Sequence, residues 1–219
     1  LQGSVRITVP RAFFYDVVRH TVRHLRSLYP NIRVLVTINQ SPMIASLDVN
    51  TDILMTFDDL SELGDCVAIP IYKTKLGIYA HQDFFKNKPV PQTITDLEHV
   101  PWICNYETKT MPLYREEVLA NILGIQPVFV VNDILAVADE VRAMGGVGMI
   151  PIAKAARHKE LIRLFPDYNG KIRQSYLVYR KHRYQPKVIA VVIEELKRGV
   201  ERWVRHRDDW AAEKKGSAD

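Results

Sequence analysis

The sequence predicts an α/β protein built from two lobes. Short apolar runs of strand length alternate with segments whose apolar residues recur every three or four positions, as expected for strands and amphipathic helices. This alternation occurs in two successive series along the 219 residues. Because alternating strands and helices wind into parallel sheets through right-handed crossovers, each series predicts one lobe with its own sheet.

The first lobe opens with a strand, helix, strand unit. Val5–Val9 alternates apolar and polar residues and stops at Pro10, which is typical of a strand. Apolar residues within 12–28 recur at helical spacing and predict an amphipathic helix that ends before Tyr29. Ile32–Ile38 is a near-continuous apolar run, which favours a strand in a sheet covered on both faces.

The remaining elements continue the alternation. In chain order, the sequence predicts a short helix over Met43–Leu47, strands over Asp52–Thr56, Cys66–Ile71, Leu76–Ala80 and Trp102–Cys104, a helix over Leu113–Ile122, a strand over Val128–Val131, a helix over Ile134–Ala143, strands over Val147–Ile150 and Tyr176–Tyr179, and a long helix over Lys187–Arg205. Residues 207–219 are polar and are predicted to form a disordered tail.

Composition excludes several classes of protein. With 47% hydrophobic and 25% charged residues, the chain is neither collagen-like nor intrinsically disordered. It lacks any run of about 18 uninterrupted apolar residues, so no transmembrane helix is predicted. Cys66 and Cys104 are far apart and belong to no CxxC motif, which indicates two free thiols in a reducing compartment and leaves a single disulfide as the alternative.

Short fingerprints of catalysis and cofactor binding are absent. The sequence has no GxxxxGK[ST], GxSxG, HExxH or CxxC motif, which argues against an enzyme with catalytic residues or a bound cofactor. The glycine-rich loop at Gly145-Gly146 precedes a strand, whereas a phosphate-binding loop follows one and opens a helix. We therefore interpret Gly145 as a helix C-cap with close backbone packing around it.

Two basic clusters have ordinary explanations. His20 and His24 have a spacing that can hold a metal, but the arginines among them oppose a dication, so we expect a solvated or interface face and no metal. Residues 171–207 contain 11 Lys or Arg and 3 acidic residues. Their aromatic residues, such as Trp203, fall at core positions, so a solvated cationic face is favoured over direct nucleic-acid contact.

Polar residues at strand ends form the candidate binding site. In parallel α/β sheets, ligands bind beyond the carboxyl ends of the strands. Arg11 can pair with a carboxylate, and Asn132 or Asp133 can equally serve as a helix N-cap. The predicted small-molecule site comprises Pro10, Arg11, Ala12, Gln40, Ser41, Thr56, Phe57, Asn105, Tyr106, Asn132 and Asp133.

Several segments also share an order and spacing with a known family. They are Gly3–Pro10, Tyr29-Pro30, Asp52–Leu54, Leu76–Ala80, Val147–Pro151 and Leu161–Pro166. Together they resemble the effector-binding domain of LysR-type transcriptional regulators, over about Gly3 to Arg205. The resemblance implies a periplasmic-binding-protein-like fold of type 2, in which two α/β subdomains are joined by two crossover strands with a ligand cleft between them.

The resemblance also implies a domain organisation. Residues 1–72 and 178–206 would form subdomain I, and residues 73–177 would form subdomain II. The crossover strands would lie near Tyr72–Gly77 and Ile172–Val178. Family members usually carry an N-terminal winged helix-turn-helix domain that this chain lacks, so we expect DNA contacts to be made through that missing part.

The function implied by the resemblance is effector sensing in the cytoplasm. A small molecule would bind in the cleft, and the change would pass to DNA-binding domains through a homodimer or homotetramer. Family dimers form antiparallel through the first helix and second strand, which places Val34, Val36 and Ile38 near the contact.

One departure from the family concerns the effector. The third strand ends in Thr56, where the family commonly has Arg, and the acidic loop Phe57–Leu60 follows, which argues against simply carrying over an anionic effector and leaves a neutral or cationic one open. The alternative function is a periplasmic solute-binding protein of a transporter, which shares the fold.

Overall fold

The chain forms two compact units. The computed structural model describes residues 1–40, 44, 47, 50–57, 60, 63–105, 127–168, 172–181 and 186–216, the last ten of them by their backbone alone. One unit comprises Leu1–Lys73 and Gln174–Asp219, and the other comprises Thr74–Arg173. The second boundary precedes the expected one at 177/178 because the strand that leads back into unit 1 begins earlier than its apolar core suggests.

Unit 1 is built on a five-stranded mixed sheet. Its strands are β1 (Gly3–Val9), β2 (Ile32–Ile38), β3 (Ile53–Thr56), β4 (Cys66–Thr74) and β10 (Arg173–Arg180). They lie in the order β2-β1-β3-β10-β4. β1 runs parallel to β2 and β3, whereas β10 runs antiparallel to β3. The expectation of a wholly parallel sheet is therefore wrong at β10, which is reached from unit 2 and not through a crossover helix.

The helices of unit 1 largely match the prediction. The first helical stretch consists of α1 (Arg11–Phe13), a π-helical segment (Phe14–Val18) and α2 (Arg19–Leu28), which confirms the helix over 12–28 but adds an unpredicted π-helical segment. The last helix, α5 (Lys187–Gly216), continues through most of the predicted disordered tail. Residues 207–215 contain neither Gly nor Pro, so no residue interrupts helix propagation before Gly216.

Side-chain contacts hold β1 in register with the start of β3. Arg6 makes a two-pronged bond to the Asp52 carboxylate, with Nε–Oδ2 3.1 Å and Nη2–Oδ1 2.8 Å, and its backbone N–H also donates to Oδ2 at 2.8 Å. The hydroxyl groups of Thr8 and Thr51 are hydrogen-bonded at 2.9 Å in the buried interior. Because both strands are buried, these bonds satisfy polar groups that would otherwise destabilise the sheet.

The core of unit 1 lies between its sheet and its helices. Residues from β1, β3, β10, α2 and α5 form one apolar cluster, in which Leu196 and Leu177 have no exposed surface. Tyr179 and Trp203 are half-buried against this cluster, and Tyr176 packs on a second, smaller one. The assignment of these aromatic residues to the core is confirmed.

Unit 2 has a second five-stranded sheet. Its strands are β5 (Leu76–His81), β6 (Trp102–Asn105), β7 (Phe129–Val131), β8 (Val147–Pro151) and β9 (Leu161–Leu164), in the order β7-β6-β8-β5-β9. Its helices are a 3-10 helix (Ile94–His99), α3 (Ile134–Arg142) and α4 (Ile152–Ala155). β6 is parallel to β7 and β8, while β5 is antiparallel to β8 and β9. The predicted helix Leu113–Ile122 and most of the predicted helix Met43–Leu47 lie outside the described residues.

The turn after α3 differs from the predicted glycine cap. The left-handed position is occupied by Met144, with φ of 62°, and the N–H of Gly145 donates to the carbonyl of Glu140 at 3.0 Å. The close packing expected here is confirmed at Gly146, where a Cβ would overlap the Pro101 carbonyl group, and again at Gly148 in β8, where a Cβ would lie 2.9 Å from Val141 Cγ2. No helix among the described residues is long and apolar enough to cross a membrane.

The contact between α2 and α5 yields a stability test at Gly199. A Cβ at this position would overlap the Thr21 hydroxyl group and approach Val17 Cγ1 at 3.3 Å. We expect Gly199→Ala to lower the free energy of unfolding by about 1–3 kcal/mol through overpacking, despite the higher helix propensity of alanine. In a Thr21→Ala background, the same substitution should be neutral or stabilising. Urea unfolding measures both, and equal destabilisation in the two backgrounds would contradict this packing.

Candidate functional site

In unit 1, the predicted site residues follow three neighbouring parallel strands. Since β1, β2 and β3 are parallel and adjacent, their carboxyl ends meet at one edge of the sheet. The N–H of Asn39, just after β2, donates to the carbonyl of Val9 at 3.0 Å, so the ends of β1 and β2 adjoin. Phe57, just after β3, stacks on Phe13 with ring centroids 5.3 Å apart. The edge therefore combines the residues after β1, after β2 and at the end of β3.

The predicted site residues of unit 1 differ in how exposed they are. Pro10 is buried, and its carbonyl accepts the N–H of Phe14 at 3.1 Å, which starts the first helix. Thr56 is 1% exposed, so its side chain is buried at this edge. Arg11 is exposed, whereas Ala12, Gln40 and Phe57 are half-buried. Ser41 lies outside the described residues. Among the described residues of this group, Arg11 is therefore the one with an exposed side chain.

Arg11 brings a cationic side chain to this edge. It is the first residue of the helical stretch that begins after Pro10, and backbone N–H groups at a helix N-terminus add partial positive charge. A guanidinium presents a planar fork of donors that fits carboxylate and other acceptor groups. The acidic residues expected to follow Phe57 lie outside the described residues.

In unit 2, the predicted residues follow two further parallel strands. Asn105 ends β6 and is paired with Val131 of β7, so it lies beside the segment that carries Asn132 and Asp133. Asn132 is exposed, and Asn105 is half-buried. Tyr106 lies outside the described residues. The structure thus brings Asn105 and Asn132 to one edge of this sheet.

Asp133 performs the capping role that the sequence left open. It is the N-cap of α3, it is 5% exposed, and its Oδ1 accepts the N–H of Leu135 at 2.9 Å. A buried carboxylate committed to a helix terminus stabilises that terminus and offers little of its surface to a ligand. Of the neighbouring pair, Asn132 is the better placed for ligand contact.

Sequence reasoning missed Phe13 as part of the unit 1 edge. Its ring is 4% exposed and supports Phe57 from below. The signal was its position directly after the Pro10–Ala12 segment, where an apolar residue of the first turn must turn toward the sheet. An apolar support of this kind holds the end of β3 against the first helix.

Several titratable groups of unit 2 have pKa values shifted by ion pairing or by burial. Arg142 Nε donates to Glu160 Oε1 at 2.6 Å, and this bond lowers the pKa of Glu160. Burial, aided by the Arg142 charge, lowers the pKa of His158, whose Nδ1 lies 3.6 Å from the same Oε1. Burial also raises the pKa of Tyr79. The groups of this cluster lie on α3 and the turn before β9, away from the strand-end residues.

The histidine pair on α2 lies on an exposed face. His20 accepts a bond from Arg19 Nε at 3.1 Å, and His24 Nε2 lies 3.8 Å from Glu195 Oε2 of α5. The described residues contain no group of three or more side chains suited to a metal ion. Cys66 and Cys104 form no disulfide.

Comparisons with known proteins identify what the chain resembles. A family model described as the LysR substrate binding domain matches residues 1–201. A curated relative from Haemophilus influenzae, named an uncharacterized HTH-type transcriptional regulator, is 23% identical over 201 residues, covering 85% of this chain and 66% of the relative. The chain thus spans about two thirds of that relative's length.

Solved structures give the same fold. The regulatory domain of CrgA from Neisseria meningitidis aligns with a TM-score of 0.76 at 14% identity, covering 91% of this chain and 100% of that chain. The regulatory domain of AphB from Vibrio vulnificus has a TM-score of 0.70 at 19% identity, covering 89% and 98%. The effector domain of AmpR from Pseudomonas aeruginosa has a TM-score of 0.69 at 16% identity, covering 94% and 99%. The predicted fold class is confirmed.

Two neighbouring substitutions test whether Asp133, and not Asn132, caps α3. We expect Asp133→Ala to lower the free energy of unfolding by about 0.5–2 kcal/mol, because α3 loses its N-cap. Asn132→Ala, one residue away and exposed, should change it by less than about 0.5 kcal/mol. Urea unfolding followed by circular dichroism measures both. Equal effects of the two variants would show that Asp133 does not act as a cap.

Proposed function

The chain belongs to the LysR substrate-binding domain family, and we propose that it senses a small-molecule effector at the strand-end residues described above. The family consists of transcriptional regulators and is not an enzyme class. The observation that carries the proposal is that exposed Arg11 and half-buried Phe57 both follow strands at the edge where three parallel strands end. This edge offers a fork of donors and an aromatic surface, which suits a small molecule with an acceptor group and a flat apolar part.

The remaining strand-end residues add neutral hydrogen-bonding groups. In unit 1, Gln40 provides an amide at the strand ends. At the strand ends of unit 2, Asn105 and Asn132 provide amides of their own. Thr56 stands where the family commonly has Arg, so this edge carries one cation fewer than a typical member. We propose an effector whose acceptor group meets Arg11 and whose overall charge is not strongly negative.

We also propose that the chain assembles with a second copy through α2 and β2. β2 is an edge strand of its sheet. Exposed apolar side chains lie on it and on the adjacent helix: Tyr15 is 43% exposed, Leu28 49%, Leu35 41% and Ile38 44%. Val34 and Val36 are half-buried against the core. An edge strand with exposed apolar residues is usually covered in the functional assembly. In an isologous dimer, the same contact covers this strand in both copies.

The proposed role of the whole protein follows from this assembly. Effector binding would favour one conformation of the domain, and the dimer would pass that preference to DNA-binding domains outside this chain. The alternative of a solute-binding protein for a transporter has no support among the relatives named above, because each of them is a transcriptional regulator.

Effector binding can be tested with a metabolite library. We expect at least one small molecule to raise the melting temperature, because a ligand that binds the folded state stabilises it. Arg11→Ala should weaken that ligand about 10-fold or more, since a charge-assisted hydrogen bond is lost. Arg26→Ala removes the same charge from the last turn of α2 and should leave the affinity unchanged. Equal effects of the two variants on affinity would mean that the site is misplaced.

Self-association can be tested by sedimentation. The chain should sediment as a dimer at tens of micromolar, and Leu35→Asp should weaken the dimer at least 10-fold because it places a charge in a buried contact. Val130→Asp is a matched control, because Val130 is an exposed apolar residue on β7, an edge strand of unit 2. A monomeric wild-type chain, or dissociation caused equally by both variants, would contradict the proposed surface.

A further inference from the structure

The chain passes between the two units at two places. β4 carries it out of unit 1, with the boundary between Lys73 and Thr74, and β10 brings it back, with the boundary between Arg173 and Gln174. The two strands are neighbours in the sheet of unit 1. Any bending between the units must therefore occur in the few residues around these boundaries.

Two side chains of β10 meet a single backbone carbonyl of β4. Ser175 Oγ donates to the carbonyl of Tyr72 at 2.8 Å, and Gln174 Nε2 donates to the same carbonyl at 3.1 Å. Ser175 has no exposed surface, and Gln174 Nε2 also donates to the Ser175 carbonyl at 2.9 Å. A carbonyl has two lone pairs, so it can accept both donors, and the two bonds link the outgoing strand to the returning one.

The side chain of the same residue contacts the last helix. The Tyr72 ring packs edge-on against the Trp203 ring of α5, with centroids 4.8 Å apart and planes at 78°. This geometry is the favoured one for an aromatic pair. Tyr72, a residue of β4, thus contacts two other elements of unit 1: β10 through its backbone carbonyl and α5 through its ring.

In unit 2, the segment that follows β4 is hydrogen-bonded within a few residues. The carbonyl of Lys75 accepts the N–H of Ile152, the first residue of α4, at 3.0 Å. Only Lys73 and Thr74 lie between this bond and Tyr72. On the returning strand, Ile172 is 49% exposed and precedes the first bonded residue, Gln174, by two positions.

We propose that Tyr72 clamps both crossover strands to unit 1, so that bending between the units is confined to Lys73–Thr74 and Ile172–Arg173. The clamp determines where the chain bends, and α5 stays with β4 and β10 as part of unit 1 when it does. Because α5 packs on α2 next to Thr21, Trp203 and α5 connect Tyr72 to the helix that carries the proposed dimer surface. The clamp itself does not depend on the identity of the effector or on the dimer.

Hydrogen exchange measured by mass spectrometry on the 219-residue chain tests the clamp. Ser175→Ala leaves a buried carbonyl with one donor fewer, so we expect amides in 70–76 and 173–177 to exchange about 5- to 30-fold faster. Ser27→Ala is the matched control, because Ser27 Oγ also donates to a backbone carbonyl, that of His24 at 2.7 Å, on an exposed helix. It should leave the crossover peptides unchanged.

The pattern of exchange decides the outcome. Acceleration limited to the crossover peptides, with peptides of α2 and β1 unchanged, supports the clamp. No acceleration relative to Ser27→Ala, or an even acceleration throughout unit 1, overturns it. Gln174→Ala, at a half-buried residue, should give a smaller effect in the same peptides and provides a second variant if Ser175→Ala folds poorly.

A second pair of variants tests the connection to α5. Tyr72→Leu removes the ring that contacts Trp203 and should accelerate exchange in 198–206 about 2- to 10-fold, as expected for the loss of one aromatic pair. Tyr72→Phe keeps the ring and should leave that peptide unchanged. If both variants accelerate it equally, or neither does, the ring contact does not couple the crossover to α5.

Discussion

The return of β10 into the middle of the unit 1 sheet is the constraint on which the rest of the structure depends. β10 lies between β3 and β4, and Leu177 and Val178 on it have no exposed surface. Without this strand, β3, whose four residues are all buried, would have an open edge. Unit 1 is therefore complete only after the chain has built unit 2 and come back. No single cut in the sequence separates the two units.

This constraint also determines where the functional residues lie. Since β1, β2 and β3 are parallel, their carboxyl ends form one edge, and the helical stretch that starts at Arg11 begins there. β10 then runs antiparallel beside β3, so its first residues meet the last residues of β4 near Tyr72. The effector edge and the crossover clamp are two results of one strand order. In our proposal, the first supplies the ligand contacts and the second fixes the residues that can bend.

The sequence predicted which segments form elements, but less of how they pair. Periodicity reports the buried face of a segment, which is why the helix over 12–28 and most strands are confirmed. It does not fix direction, because β3 is fully buried, as parallel strands usually are, although its neighbour β10 runs antiparallel to it. The left-handed residue is Met144 and not Gly145. The glycine at 146 has a different role, because the Pro101 backbone approaches it too closely for a side chain. In the site, local sequence could not show that Thr56 is buried while Arg11 is exposed, because exposure depends on neighbouring strands.

Amide chemical-shift mapping by NMR tests the effector site most directly. A small molecule that raises the melting temperature would be titrated into the isotope-labelled chain, and the shifted backbone amides would be assigned. We expect the largest changes at Arg11, Gln40 and Phe57 in unit 1, with further changes at Asn105 and Asn132 in unit 2. Largest changes on α2 and β2, or on the exposed strand β7, would contradict an effector site at the strand ends.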